Sequence, residues 1–244
     1  MPCTQQITLY TATFSAYAHR AEIALEEAGA QYTLYKIDLY IRDMPEWYTR
    51  VNPLRKVPAI TFGGPQVPPD EPSPGSQKLR ESLALIEFVA DTFPESKLLP
   101  ADPFLRARAR TFISLYHSYI HEQFMNVFFR GVPVTDGFFQ AFETLQSALP
   151  PTGFAVGEWS LAETAVGPFL ARIMLYLDAG FGWYSEADRE TMRAEFASAR
   201  FARLQQYIQD IRARPSFAKT WGGDAVQVET VRATLPKLRR ERIA

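Results

Sequence analysis

A single cysteine, Cys3, stands in 244 residues, which excludes an intramolecular disulfide and any cysteine-rich metal cluster. Neither sign of charge is in surplus. The 26 Lys and Arg against 27 Asp and Glu leave a formal net charge of −1, so no nucleic-acid partner is expected. No run reaches the ~18 consecutive apolar residues that span a bilayer, so no membrane partner is expected either. The N-terminus lacks a charged segment followed by an apolar stretch, so no secretory signal is read and a reducing, cytoplasmic setting is expected. One basic run, 237–242, reads as a solvated tail. Hydrophobic residues, at 47% of the chain with 14% aromatic, are plentiful enough for a real core in one large domain or two modest ones.

The period of the apolar pattern changes along the chain. Residues 7–10 read as a strand, and 18–28 as a helix followed by Gly29, where a helix-ending glycine is favoured. A second strand is expected at 32–39, a short helix around Met44, Trp47, Tyr48 and Val51, and a third strand at 57–62. Segment 63–77, rich in Gly, Pro and Ser, reads as a loop. A short strand at 78–80 then leads into 82–93, where Leu83, Leu85, Ile86, Val89 and Phe93 form a helical stripe. The order βαβ then (α)ββα predicts a small mixed sheet covered by helices. Three prolines between 94 and 103 mark a linker at 95–102, which separates domains 1–94 and 103–244. Beyond it only helices are readable, at 104–130, 137–148, 161–179, 185–196 and 202–212, with a short segment from Pro215. The second domain therefore reads as an α-bundle.

Five motifs in order resemble the glutathione transferase family. They are Phe14-Ser15-Ala16-Tyr17-Ala18-His19-Arg20, Asn52-Pro53-Leu54-Arg55-Lys56-Val57-Pro58-Ala59-Ile60, Glu81-Ser82, Ser160-Leu161-Ala162-Glu163 and Arg214-Pro215-Ser216-Phe217. The first two look most like the omega class and its serine-bearing relatives. The resemblance implies a thioredoxin-like N-terminal domain (βαβ-ββα), an all-helical C-terminal domain that shapes a second pocket, glutathione as co-substrate, and a homodimer. It also implies a cis Val57–Pro58 bond, with the Val57 backbone pairing with glutathione. Glu81 and Ser82 are expected to hold the γ-glutamyl end, an assignment compatible with their simpler use at a helix start. Lys56 is carried over as the partner of the glycine carboxylate. Ser160 and Glu163 form a capping box and are given a structural role alone.

Ser15 decides the chemistry that the resemblance implies. It stands where an omega enzyme has cysteine, and Ala16 replaces the usual proline. Serine cannot form the mixed disulfide of the cysteine enzymes, so conjugation or peroxidase-type activity on hydrophobic electrophiles, in a detoxifying role, is expected over thiol transfer. Its simpler use is as an N-cap. Thr13 and Tyr10 are the alternative hydroxyls. A pocket for flat, polyphenol-like molecules is expected from Tyr17, Tyr116, Tyr119, Phe124 and Phe128, although aromatics at helical spacing are usually core. His117 and His121 are four apart but lack a third ligand, so no metal is expected. His19 is expected at the surface. A non-catalytic carrier of glutathione or aromatic ligands, and an omega-type thiol transferase, are the alternatives.

Overall fold

A computed structural model describes residues 6–38 and 45–243, with side chains through residue 234. Cys3, Met44 and the side chains of the basic run 237–242 lie outside the described residues. The chain divides into two compact units, Met1–Ser96 with Thr220–Ala244, and Lys97–Lys219.

The first unit contains β1 (Ile7–Thr11), α1 (Ala16–Glu27), β2 (Thr33–Lys36), α2 (Glu46–Thr49), β3 (Ala59–Phe62), β4 (Gln77–Arg80) and α3 (Ser82–Thr92). The four strands form one sheet in the order β2-β1-β3-β4. β1 and β2 are parallel, and the other two pairs are antiparallel. A parallel pair needs a crossover connection, which α1 supplies. All five residues of β1 are buried, Thr8 and Thr11 among them, as expected of a strand flanked on both sides in the sheet. Ile23, Leu25, Leu85, Ile86 and Val89 complete the core between α1 and α3. The loop expected at 63–77 runs from 63 to 76, since Gln77 already pairs with Phe62, and it is tied down at several points. Tyr10 Oη donates to the Pro69 carbonyl at 2.7 Å, and Lys78 Nζ donates to the Ser73 and Ser76 carbonyls at 2.7 and 2.9 Å.

A last helix, α11 (Asp224–Ile243), was not legible as an element, and the basic run expected as a tail lies within its span. Its grouping with the first unit differs from the expected single helical domain 103–244. The physical tie is at its start. His19 meets Thr220 Oγ1 at 2.7 Å and stacks on Trp221, while Trp221 Nε1 donates to Asp224. His19, expected at the surface, is accordingly 2% exposed.

The second unit is all helical. It comprises α4 (Pro103–Leu115), a π-helical stretch (Tyr116–His121), α5 (Glu122–Arg130), α6 (Asp136–Ser147), α7 (Leu161–Ala179), α8 (Glu186–Ala197), α9 (Ala202–Ala213) and most of α10 (Pro215–Trp221). The continuous helix expected at 104–130 is thus broken by a widened turn. α7 is buried almost throughout and starts at a complete capping box. There Glu163 receives hydrogen bonds from Ala155 N–H, Ser160 N–H, Ser160 Oγ and Tyr207 Oη, at 2.8 to 3.0 Å. Burial pushes the Glu163 carboxyl up, and the donors around it pull the other way.

Candidate active site

The first unit carries a cavity of about 500 Å³ lined by Phe14, Ser15, Tyr17, Asn52, Arg55, Lys56, Val57, Pro58, Glu81 and Ser82. Seven residues singled out from sequence meet there: Ser15, Tyr17, Lys56, Val57, Pro58, Glu81 and Ser82. They come from three stretches of chain, each with its own reason for reaching this point.

Ser15 caps α1. Its backbone is extended (φ −75°, ψ 109°), and its Oγ accepts the Ala18 N–H at 3.1 Å. That bond uses an oxygen lone pair and leaves the hydroxyl proton to donate elsewhere. Ser15 is 8% exposed and sits at the positive end of the helix, where anions are favoured. Tyr10, one of the alternative hydroxyls, is fully buried and committed to Pro69. Thr13 is not among the residues lining the cavity.

The second stretch is the turn before β3. The Lys56 carbonyl accepts from both Tyr48 Oη and Asn52 Nδ2 at 2.8 Å, while Asn52 Oδ1 accepts the Leu54 N–H at 3.1 Å. These bonds fix the approach to Val57, and the Val57–Pro58 bond is cis. Val57 precedes the first register position of β3 and is one of the residues lining the cavity. Burial pushes the Tyr48 hydroxyl up, which keeps it a proton donor.

The third stretch is the start of α3. Glu81 has φ 70°, a left-handed conformation uncommon for a residue other than glycine, Asn or Asp. Arg55 has φ 53°. Two such residues on one cavity mark a place where packing holds the backbone in a sparsely populated region, a pattern typical of functional sites. Ser82 is the first residue of α3 and accepts a hydrogen bond from Arg20 Nη1 at 3.0 Å.

Sequence reasoning missed Arg20, Arg55, Asn52 and Tyr48. All but Tyr48 lay inside the quoted motifs, but nothing local distinguished them. Arg20 is 1% exposed despite its charge, and its guanidinium lies 5.5 Å from the centroid of the Tyr17 ring. Burial pushes the Tyr17 hydroxyl up, with Arg20 acting in the opposite sense.

The helical-unit aromatics separate. Tyr116 and Phe128 have no exposed surface and Phe124 is buried, so the expectation that they line a pocket is corrected: they pack as core. Tyr116 stacks near Phe169, and Phe128 near Phe124 and Tyr184. The physical reason is helical spacing, which turned these rings into the bundle. Tyr119 is 51% exposed. His117 and His121 lie 5.6 Å apart between ring centroids and pack with Tyr116. Among the described residues there is no group of three or more His, Cys, Asp or Glu placed to hold a metal. No described helix is long and apolar enough to cross a membrane.

The four-stranded sheet with its helices defines a thioredoxin-like domain, followed in the chain by an all-helical unit. A family model described as Glutathione S-transferase, N-terminal domain, matches residues 14–92. Over 95% of this chain and 100% of the other, the chain is 73% identical to glutathione transferase Omega 2S from Trametes versicolor, solved in complex with 2,4-dihydroxybenzophenone, with a TM-score of 0.91. Omega 1C from the same organism is 46% identical over 96% of this chain and 98% of its own, with a TM-score of 0.90. Mouse Glutathione S-transferase omega-2 is 28% identical over 110 residues, a match covering 45% of this chain and 39% of the mouse protein. The chain belongs to the glutathione transferase family, on its omega-class branch.

Proposed function

We propose that the protein is a glutathione transferase in which the Ser15 hydroxyl holds the glutathione sulfur as a thiolate for attack on a hydrophobic or aromatic electrophile. The observation that carries this reading is the convergence of Ser15, Lys56, Val57, Pro58, Glu81 and Ser82 on one cavity, with the Ser15 oxygen already accepting from Ala18. In this reading Val57 pairs with the cysteinyl backbone, Lys56 meets the glycine carboxylate, and Glu81 and Ser82 take the γ-glutamyl end. Tyr17 forms a wall for the second substrate.

The magnitudes are sufficient. A free thiol titrates near ~8.5, so about 3% is thiolate at pH 7. Lowering it by about two units requires roughly 2.7 kcal/mol. A hydroxyl donated to the thiolate contributes about 1.5–3 kcal/mol, and the helix N-terminus about 0.3–1 kcal/mol. The thiolate fraction then reaches about three quarters at neutral pH. The sulfur lone pair forms the new bond to carbon, and either a leaving group departs with its bonding pair, as from an aryl halide, or the atom that receives the displaced π electrons takes up a proton, as the nitrogen of an isothiocyanate does.

The Trametes complex with a dihydroxybenzophenone favours flat phenolic molecules as substrates or ligands. It also supports a second reading, a carrier of aromatic ligands without turnover. A cytoplasmic homodimer, with the 63–77 loop altering the subunit contact, completes the proposal. Conjugation of glutathione to an aryl halide or isothiocyanate, by the wild type and Ser15→Ala, tests it. A large loss on substitution supports the role of Ser15; equal rates remove it. No wild-type conjugation together with tight phenol binding supports the carrier.

A further inference from the structure

We propose that Arg20 is a positioning residue, committing the Ser82 hydroxyl to donate into the cavity and thereby selecting ligands with a charged carboxylate at that end. The assignment rests on the functional reading above, in which glutathione fills the cavity.

The argument begins with hydrogen-bond capacity. A serine hydroxyl both donates and accepts, whereas a guanidinium only donates. Arg20 Nη1 lies 3.0 Å from Ser82 Oγ, so the Ser82 oxygen is the acceptor in that contact. Its single proton remains available to donate. Ser82 lines the cavity and opens α3, so that proton joins the first amides of an eleven-residue helix. A hydroxyl that already accepts from a cation and has its proton left to donate, together with the helix N-terminal amides, favours an anion over a neutral acceptor.

Two observations keep the charge in place. Arg20 is 1% exposed, so water screens its contact with Ser82 less than it would at the surface. Its guanidinium also lies 5.5 Å from the centroid of the Tyr17 ring, a cation–π arrangement that links it to a second residue of the cavity wall. A residue that only tied α1 to α3 would stabilise the fold but would treat charged and neutral ligands alike. That difference is measurable.

Calorimetry would compare glutathione with its analogue bearing a carboxamide in place of the γ-glutamyl α-carboxylate. The proteins are the wild type, Arg20→Met, Ser82→Ala and the double variant. Arg20→Met is expected to weaken glutathione about 10- to 100-fold while leaving carboxamide affinity within about twofold, with the double variant no weaker than the weaker single variant. Unchanged glutathione affinity in Arg20→Met, an equal loss on both ligands, or additive losses would overturn the assignment. A wild type without glutathione affinity would overturn the functional reading itself. If Arg20→Met does not fold, Arg20→Gln, which removes the charge and can accept from Ser82 as well as donate to it, is read by the same rule: a loss confined to the carboxylate ligand supports the assignment, and no loss or an equal loss overturns it.

Discussion

Two serines begin two helices here, and their surroundings differ. Ser160 accepts the Ala162 N–H at 3.1 Å and donates to Glu163, whose carboxyl also takes Ala155, its own Ser160 amide and Tyr207. Ser15 accepts the Ala18 N–H at the same 3.1 Å, but its hydroxyl borders a cavity. One cap is closed on protein partners and fully buried; the other keeps a proton beside open space. The same residue type at the same helical position is structural where the protein supplies every partner and available for chemistry where it leaves one to be supplied.

The comparison can be broken most severely at the closed cap. Glu163→Ala leaves four buried donors without their acceptor, at about 1 kcal/mol or more each, so a loss of roughly 4 kcal/mol is expected. Thermal unfolding should fall by about 8–16 °C, and a drop under ~2 °C would show that this network contributes little. Ser15→Ala should do the opposite: stability falls by no more than ~1 kcal/mol, while conjugation at neutral pH falls about 8- to 25-fold, following the drop in thiolate fraction. The bound glutathione thiol, titrated by its thiolate absorbance, should move up from about 6.5 towards about 8. An unmoved thiol would assign activation elsewhere.

Smaller effects sharpen the open side. Asn52→Ala removes one of two donors to the Lys56 carbonyl and is expected to cost about 1 kcal/mol. Glutathione should bind several-fold more weakly while the unfolding transition stays cooperative, and equal binding would separate this turn from the ligand. Lys56→Ala should be mildest, because Lys56 is exposed. A loss of about 1.5- to 5-fold in glutathione affinity is expected, shrinking as salt rises, and a salt-independent loss would argue against an ion pair.

Much of this was readable from local pattern. The buried run of β1, the loop that opens after Phe62 and the capping box at Ser160 and Glu163 depend on residues close in sequence, and each begins where its pattern placed it. The aromatics did not separate in that way. Tyr116, Tyr119, Phe124 and Phe128 look alike along a helix, yet Tyr119 is exposed and the other three are buried. Which side of a helix meets the bundle, and where a π-helical turn shifts the phase, depends on neighbours far along the chain. Helix α11 was missed because its apolar residues show no strong one-sided pattern, and its start is held by partners such as Trp221.

The sequence by itself determined the order of strands and helices from β1 to α3, the capping box at Ser160 and seven of the ten residues that line the cavity, since propensity, capping and turn chemistry act over a few residues. Only the tertiary structure decided that Arg20 lies buried against Ser82, 62 positions away, and that Tyr10 is occupied by Pro69, 59 positions away. The reason is physical: burial and hydrogen-bond partnership are properties of the packed chain, so whether a charge or hydroxyl is spent on the fold or left for a ligand is settled only when distant segments meet.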